Sequence, residues 1–291
     1  MRVGVGVVIL PQGRWQEDEA RWRRADEYGF DHAWTYDHLS WKALVDEPWF
    51  ATVPTLAAAA LVTERIRLGT LVASPNFRHP VPFAKELMSL DDLSEGRFIL
   101  GVGAGGTGFD ATVLGDAVLS PGERVARFEE FVAMLDQLLT RPATTVHGEL
   151  YTSVDARMIP GCTQQPRLPF VIAAIGPRSM RLAARLGQGW VTTGGAANDR
   201  EKWWRTVADL SRRFDASLAD ADRPPDDLDR YLVLDTLRPS ALTAEEFAES
   251  VDRARDLGFT DVVFHWPRPG EPFAGDERLL DDIAARRDSS R

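Results

Sequence analysis

Short apolar runs alternate with longer amphipathic segments along almost the whole chain. Eight of the apolar runs are rich in Val, Ile, Leu or aromatic residues and stop at Gly, Pro or polar residues, which is typical of buried strands. Each is followed by a segment with helical spacing, several of which have Pro at the start or Gly after the end. The predicted strands are 3–10, 32–36, 66–72, 98–102, 170–174, 189–192, 228–235 and 261–265, and the predicted helices are 16–28, 52–63, 80–93, 121–139, 178–186, 201–219, 244–257 and 277–287.

The order of these elements predicts an α/β fold. Strands that are apolar throughout are typical of parallel strands covered on both faces. Eight successive strand–helix units favour a closed (β/α)₈ TIM barrel, and an open doubly wound sheet is the alternative. Residues 143–153 indicate a hairpin inserted outside this alternation. Since no second domain is apparent, we expect one domain over residues 1–291.

Composition narrows the class of protein. Hydrophobic residues make up 44% of the 291 residues, enough for a large core, and 34 basic residues stand against 44 acidic ones, for a net charge of −10. An acidic chain repels phosphate backbones, so nucleic acid is not the expected partner. No apolar run is long enough to cross a membrane and residues 1–12 lack the features of a signal peptide, so we expect a cytoplasmic protein without a membrane partner. Cys162 is the single cysteine, which excludes an intrachain disulfide.

Candidate catalytic residues follow the second strand. In a (β/α)₈ barrel the active site lies at the carboxyl ends of the strands. Asp37 and His38 stand at such an end. A histidine can donate or accept a proton near neutral pH, and a neighbouring carboxylate can orient it. We therefore predict that His38 and Asp37 are catalytic, with a hydrogen-bonded loop histidine as the structural alternative.

The fourth strand leads into a glycine-rich loop. Gly101, Gly103 and Gly106 formally satisfy G-x-G-x-x-G, the dinucleotide fingerprint. In a dinucleotide-binding domain this fingerprint is followed at once by a helix, whereas here residues 107–120 separate it from the next helix. The fingerprint also usually lies at the start of its domain, whereas here three strand–helix units precede it. We favour another interpretation, in which the loop has little side-chain bulk and so lets a flat ring approach the backbone. Gly103, Ala104, Gly105 and Gly106 are therefore candidate cofactor contacts.

Two further strand ends suggest an anion site and a substrate pocket. Gly176, Pro177, Arg178 and Ser179 open the fifth helix, where free N–H groups attract a phosphate, and ordinary helix capping is the alternative. Thr193 and Gly194 follow the next strand and could form the opposite wall. A substrate pocket, with core packing as the alternative for its aromatic members, is predicted from residues near other strand ends; these are Trp41, Asn76, Arg78, His79 and Trp266.

These segments together resemble the luciferase-like flavin-dependent oxidoreductase family, in family order over about residues 1–270. The resemblance is carried by Asp37-His38 and by the segments 68–80, 96–105, 165–169, 176–179 and 189–192. It implies a barrel whose mouth holds either coenzyme F420, a deazaflavin, or FMN. It also implies a non-proline cis peptide between Leu71 and Val72 against the ring, with Ala73 beside it. The resemblance assigns the phosphate to residues 176–179 and to Thr193 and Gly194.

The sequence is more similar to the F420 branch of that family. Its basic residues are 31 arginines and three lysines, Lys42, Lys85 and Lys202, a bias that fits the GC-rich actinobacteria that make F420. Sugar-phosphate dehydrogenases of this branch have an acidic Glu where this chain has Gly106, and their substrate-binding lysines have no counterpart here. We therefore expect hydride transfer from reduced F420 to a C=C or C=N bond of a small molecule. An FMN-dependent monooxygenase using O₂ is the alternative, a non-catalytic binding protein is a minor one, and a homodimer is expected by analogy.

Overall fold

The computed structural model describes residues 2–195, 199–234 and 242–288. Ten strands and eight α-helices follow one another in this part of the chain. The strands are β1 Gly4–Val8, β2 His32–Thr35, β3 Arg67–Thr70, β4 Phe98–Val102, β5 Ala143–His147, β6 Thr152–Arg157, β7 Phe170–Ala173, β8 Gly189–Thr192, β9 Asp229–Val233 and β10 Asp261–His265. The helices are α1 Trp15–Glu27, α2 Thr52–Val62, α3 Pro80–Leu93, α4 Pro121–Thr140, α5 Pro177–Leu186, α6 Arg200–Ala219, α7 Ala244–Asp256 and α8 Arg278–Asp288.

Eight parallel strands close into a barrel in the order β1-β2-β3-β4-β7-β8-β9-β10, and β10 pairs back onto β1. The predicted (β/α)₈ fold is confirmed, and the open doubly wound sheet is excluded. The antiparallel pair β5-β6 lies outside the barrel, as expected of the insertion, and its second strand runs to Arg157 rather than ending at residue 153. The predicted last residue of the seventh barrel strand, Asp235, lies outside the described residues. That residues 1–291 form one domain stays a prediction.

Strand alternation divides the core into two layers. Side chains such as Trp34, Ile99, Tyr231 and Val263 pack inside the barrel. A second and larger cluster, with Phe83, Phe128, Phe214 and Phe264 among its members, fills the space between the strands and the helices. Because successive side chains of a strand point to opposite faces, Val263 faces inward while its neighbour Phe264 faces the helices.

Local sequence signals fix where several helices begin. The Ser120 side chain accepts a hydrogen bond from the Glu123 backbone N–H, and the Glu123 carboxylate accepts one from the Ser120 N–H, which forms a capping box at the start of α4. Proline occupies the first turn of α3, α4 and α5. Proline thus sets the first residue of each helix, and the parallel β/α topology places these helix starts on the side of the carboxyl ends of the strands. In the described part of the chain, none of the helices has the length and apolarity that a membrane span needs.

Candidate functional site

A cavity of about 480 Å³ opens at the carboxyl ends of the barrel strands. Its wall is mainly apolar and comes from six successive regions of the barrel. The lining residues are Tyr36, Leu71, Val72, Ala104, Arg124, Ala173, Ala174, Ile175, Ser179, Val191, Thr192, Thr193 and Val233. The predicted cofactor contacts Leu71, Val72, Ala104, Ser179 and Thr193 thus share one cavity.

The floor of this cavity is a backbone ridge after β3. The peptide bond between Leu71 and Val72 is cis, as the family resemblance implied. Ala73 is fully buried behind it and bridges to Val102 of β4. A Cβ atom at Gly103 would lie 2.9 Å from Cγ2 of Val72 and 3.3 Å from Cβ of Ala173. Glycine at 103 therefore lets β4 approach the ridge closely, so that Val72 can form part of the cavity wall.

The glycine loop after β4 is held by Asn76. Gly105 has φ +75°, and a Cβ atom there would lie 2.6 Å from Oδ1 of Asn76. The Asn76 amide Nδ2 donates to the carbonyl of Gly106 at 3.3 Å, and its Oδ1 accepts from Arg127. Asn76, predicted as a substrate contact, is buried and supports this loop instead.

Arg124 is a cavity residue that sequence reasoning missed. It lies in the first turn of α4, lines the cavity, and donates from Nη1 to the carbonyl of Gly105 at 3.0 Å. Its Nε is buried without a hydrogen-bond partner in the described structure, and the same is true of Arg127 Nε. The described structure has the same feature at Nε1 of Trp22 and Trp204 in the core, so the cation of Arg124 in the cavity wall, rather than its Nε atom, is the feature that suits an anionic ligand. The signal that could have found it is an arginine in the first turn of the helix that follows the glycine-rich loop.

The start of α5 faces the cavity with its backbone and Ser179. Gly176 is the N-cap residue, Pro177 occupies the first turn, and the Ser179 hydroxyl donates to the Gly176 carbonyl at 3.0 Å. Across the cavity, Thr193 belongs to the wall, and its carbonyl accepts from Trp203 Nε1 at 2.9 Å. Gly194 has φ +73°, and a Cβ atom there would clash with Trp203 at 2.3 Å. Ser179 and Thr193 thus lie in the wall of one cavity, and the binding of a phosphate between the two segments stays a prediction.

The Arg178 side chain does not belong to the wall of the mouth cavity. Its guanidinium forms an ion pair with Glu129 of α4, and its side chain lines a different cavity on the outside of the barrel. The prediction that Arg178 holds a phosphate in the barrel mouth is therefore wrong. Successive helical positions are rotated by about 100°, so Ser179 faces the cavity while Arg178 faces α4.

Asp37 is engaged by an arginine and does not orient His38. The Asp37 carboxylate is buried and accepts two hydrogen bonds from Arg78, at 2.7 Å from Nε and 2.6 Å from Nη2. Arg78 also donates to Glu86 of α3 at 2.9 Å. Burial by itself lowers the pKa of Arg78, but the hydrogen bonds and charge of Asp37 outweigh it and raise the pKa, so the guanidinium stays charged. The assignments of Asp37 as a catalytic group and of Arg78 as a substrate contact are replaced by a structural ion pair.

His38 has a different carboxylate partner. Its Nδ1 contacts the Asp110 carboxylate, and the second oxygen of Asp110 accepts from the Leu39 backbone N–H at 2.8 Å. Asp110 is buried on a short 3₁₀ turn, Phe109–Ala111, within the long loop after β4. With Nδ1–H directed at Asp110, Nε2 is the nitrogen through which His38 can exchange a proton. Sequence reasoning could not find Asp110, because it lies 72 residues from His38 in an irregular loop.

Aromatic rings surround His38 on the rim. The Tyr36 ring lies 5.9 Å from the His38 ring and 5.1 Å from Trp41, and Trp41 stacks on Phe273 at 6.4 Å. The Tyr36 hydroxyl hydrogen-bonds Nε2 of buried His265 at 2.7 Å. Trp41 is not among the residues of the described cavity wall, so its place in a substrate pocket stays a prediction, and Lys42 Nζ lies 4.8 Å from the centre of its ring. One of the three lysines is therefore at the rim.

Two predicted pocket residues lie elsewhere. Trp266 is buried between the barrel and the helices, donates to Glu277 at 2.8 Å and contacts Arg24. It faces outward because the inward residue at this strand end is His265, which has the same parity as Val263. His79 is exposed and caps α3 by accepting from the Val81 N–H at 3.2 Å. Neither Trp266 nor His79 belongs to the cavity wall that the structure describes.

The barrel and its mouth define an α/β enzyme of the TIM-barrel class, and comparisons with known proteins identify the family. Residues 3–237 match the family model described as luciferase-like monooxygenase. The chain belongs to this family, as the sequence resemblance predicted.

Several characterised proteins are similar over most of the chain. The F420-dependent glucose-6-phosphate dehydrogenase of Beutenbergia cavernae is 31% identical over 314 residues, covering 90% of each chain. The 4-hydroxyprotoasukamycin monooxygenase of Streptomyces nodosus subsp. asukaensis is 31% identical over 220 residues, covering 72% of this chain and 56% of that protein. Among solved structures, an F420-dependent secondary alcohol dehydrogenase in complex with an F420-acetone adduct has a TM-score of 0.80 at 17% identity, covering 97% of each chain. At that identity the structural likeness concerns the fold.

Proposed function

We propose that this protein is an F420-dependent oxidoreductase that reduces a small molecule. The observation that carries the proposal is the mainly apolar cavity at the barrel mouth, with the cation of Arg124 and the Ser179 hydroxyl in its wall. A flat ring can lie against the Leu71–Val72 ridge, and an attached phosphate can reach Arg124 and the start of α5. The relative from Beutenbergia cavernae, named as F420-dependent, supports the deazaflavin as the cofactor.

The residues present fit such a cofactor. Leu71, Val72, Ala104 and Val191 supply apolar surface for a ring, while Gly103 keeps the backbone close. Arg124, Ser179 and the α5 backbone N–H groups supply donors for a phosphate. Bound in its reduced form, F420 supplies a hydride to the substrate. The protein has to position the substrate, exclude water and provide a proton.

His38 is the residue that we assign to the proton. Its Nδ1 is fixed by Asp110, so Nε2 can deliver a proton to the atom next to the carbon that receives the hydride. Together the hydride and this proton reduce one double bond. Asp110 holds the imidazole through Nδ1, and the rings of Tyr36 and Trp41 lie on this side of the mouth.

We favour an electron-poor C=C or C=N bond as the substrate group. Gly106 has no side chain to act as an acid, and the described cavity wall is largely apolar. The name of the Beutenbergia relative suggests glucose 6-phosphate instead, and Lys42 at the rim is a cation that could meet a substrate phosphate. Glucose 6-phosphate therefore belongs in the same assay.

Two measurements test this proposal. The first is a fluorescence titration of the purified protein with F420 and, separately, with FMN; we expect saturable binding of F420 only. The second follows oxidation of reduced F420 with activated alkenes and imines, and reduction of F420 with glucose 6-phosphate. Turnover with glucose 6-phosphate alone would replace the proposed substrate class, while binding of FMN without F420 would overturn the cofactor assignment.

A luciferase-like monooxygenase that uses FMN and O₂ is the second candidate function. The relative named 4-hydroxyprotoasukamycin monooxygenase is the observation that favours it. Transfer of an oxygen atom from ¹⁸O₂ to the substrate, with reduced FMN supplied, distinguishes this reaction from the anaerobic reductase reaction. That the protein is a homodimer and that it is cytoplasmic stay predictions. Light scattering of the purified protein measures its oligomeric state.

A further inference from the structure

A second cavity, of about 600 Å³, lies on the outside of the barrel between α4, α5 and α6. We call it the α5 groove; it is lined by Glu129, Arg178, Arg181, Leu182, Ala184, Arg185, Ser217, Asp220, Ala221 and Arg223. Arg178, Arg181 and Arg185 are spaced by three and four residues, so they share one face of α5, and all three are exposed. Helical geometry spreads these three residues over about 10 Å along the helix axis.

The charges in the α5 groove are unbalanced. Arg178 is paired with Glu129, and Arg223 donates to the carbonyls of Ala184 and Gly187 and to Asp227. Arg181 and Arg185 form no ion pair or hydrogen bond with any residue in the described ranges. Asp220 is the other acidic residue of the lining. In a chain with a net charge of −10, two uncommitted guanidinium groups in one groove favour an anionic ligand.

The start of α5 connects this groove to the barrel mouth. Ser179 belongs to the wall of the mouth cavity, and Arg178, one residue earlier, belongs to the wall of the α5 groove. A ligand whose phosphate lies at the start of α5 has Arg178 as the next cation outside the cavity. Arg181 and then Arg185 follow in the same direction along the helix.

We propose that the α5 groove binds the acidic tail of the cofactor, an inference that rests on the proposed function. Beyond its phosphate, F420 carries a chain of glutamate residues, each with a free carboxylate. Arg181 and Arg185 can pair with successive carboxylates of this chain while the ring stays in the barrel mouth. The groove thereby contributes affinity for the glutamate chain of the cofactor, and it contributes none for the ring or the phosphate.

The test compares two forms of the cofactor, F420 with several glutamates and F420-0, which keeps the phosphate but has no glutamate. Dissociation constants are measured by fluorescence for the wild type, for R181Q/R185Q and for the control R141Q/R157Q. The control removes the same two charges from exposed positions outside the groove. We expect R181Q/R185Q to bind long-tailed F420 roughly three- to tenfold more weakly, and F420-0 as the wild type does.

The wild type alone provides an independent measurement. Its affinity for long-tailed F420 should fall more steeply with added salt than its affinity for F420-0, because exposed ion pairs are screened. Equal affinities and equal salt dependence for the two forms would overturn the groove assignment and leave the proposed function intact. An equal loss of affinity for both forms in R181Q/R185Q would also overturn it. If the wild type binds neither form, the proposed function itself fails, and the inference fails with it.

Discussion

The Nδ1 atom of His38 lies against the carboxylate of Asp110, a residue from a different strand–helix unit of the barrel. The two groups form a dyad beside Tyr36, which belongs to the wall of the mouth cavity. Asp110 also accepts from the backbone N–H of Leu39, which fixes the carboxylate relative to the loop that carries His38. The position of the His38 ring therefore depends on the fold of the long loop after β4.

Removal of either member of this dyad should slow turnover. We expect H38A to lose at least about 100-fold in kcat, since a positioned acid contributes about 10²- to 10⁴-fold. D110N should lose about tenfold or more, because a neutral amide holds the His38 ring through Nδ1 less firmly than a carboxylate does. Steady-state kinetics at one pH, with reduced F420 and the preferred substrate, measure kcat for the wild type and for both variants.

The double variant separates positioning from direct chemistry. If Asp110 acts only through His38, H38A/D110N should be no slower than H38A. D116N, a change at an exposed carboxylate of the same loop, is the matched control and should keep wild-type kcat. Full activity of D110N would exclude the dyad from the mechanism.

Arg124 should determine affinity for the phosphate of the cofactor. R124Q removes the charge and should weaken F420 binding by roughly 10- to 100-fold, since hydrogen bonds to charged groups contribute about 1.5–3 kcal/mol. The deazaflavin fragment without phosphate should bind R124Q and the wild type equally. Fluorescence titration measures both, and R141Q, at an exposed position, is the control. A loss with the fragment equal to that with F420 would assign Arg124 to the ring.

Neighbouring glycines in the loop after β4 should differ in their tolerance of alanine. G105A should lower the free energy of unfolding by about 1–3 kcal/mol, because φ is +75° and the new Cβ meets Asn76 at 2.6 Å. At Gly106 the nearest atom to an added Cβ is 3.9 Å away, so G106A should change stability by less than about 0.5 kcal/mol. Urea denaturation of both variants provides the comparison. Equal stabilities would show that the loop is not held by Asn76.

The Cys162 thiol should be unreactive in the native protein. Burial, followed by the nearby Asp91 carboxylate, raises its pKa, so the reactive thiolate is scarcer at any pH than for an ordinary thiol with a pKa of about 8.5. Titration with Ellman's reagent at pH 8 should give slow reaction in the native state and rapid reaction in urea. Because the pKa is raised, the native rate should keep increasing above pH 9. Rapid labelling of the native protein at pH 7 would contradict this prediction and would show that the thiol is reactive.

Much of the architecture was accessible from the sequence because it depends on local patterns. Continuous apolar runs such as Phe98–Val102 mark strands buried on both faces, and a proline such as Pro80 marks the first turn of a helix. The period of eight strand–helix units then leaves the closed barrel as the favoured arrangement. The same reasoning located the mouth of the barrel, and with it the neighbourhood of Val72, Ala104 and Ser179.

Which side chains meet in that mouth was decided by the tertiary structure. Asp37 follows a strand as predicted, yet Arg78 neutralises it, and His38 pairs with Asp110 from a loop without regular structure. Arg178 and Trp266 have the residue types and positions of site residues, but a rotation of about 100° per helical residue and the two-residue repeat of a strand turn them away. Sequence periodicity determines which segments form strands and helices. The distances between side chains from different segments depend on how the barrel closes, and no local pattern encodes them.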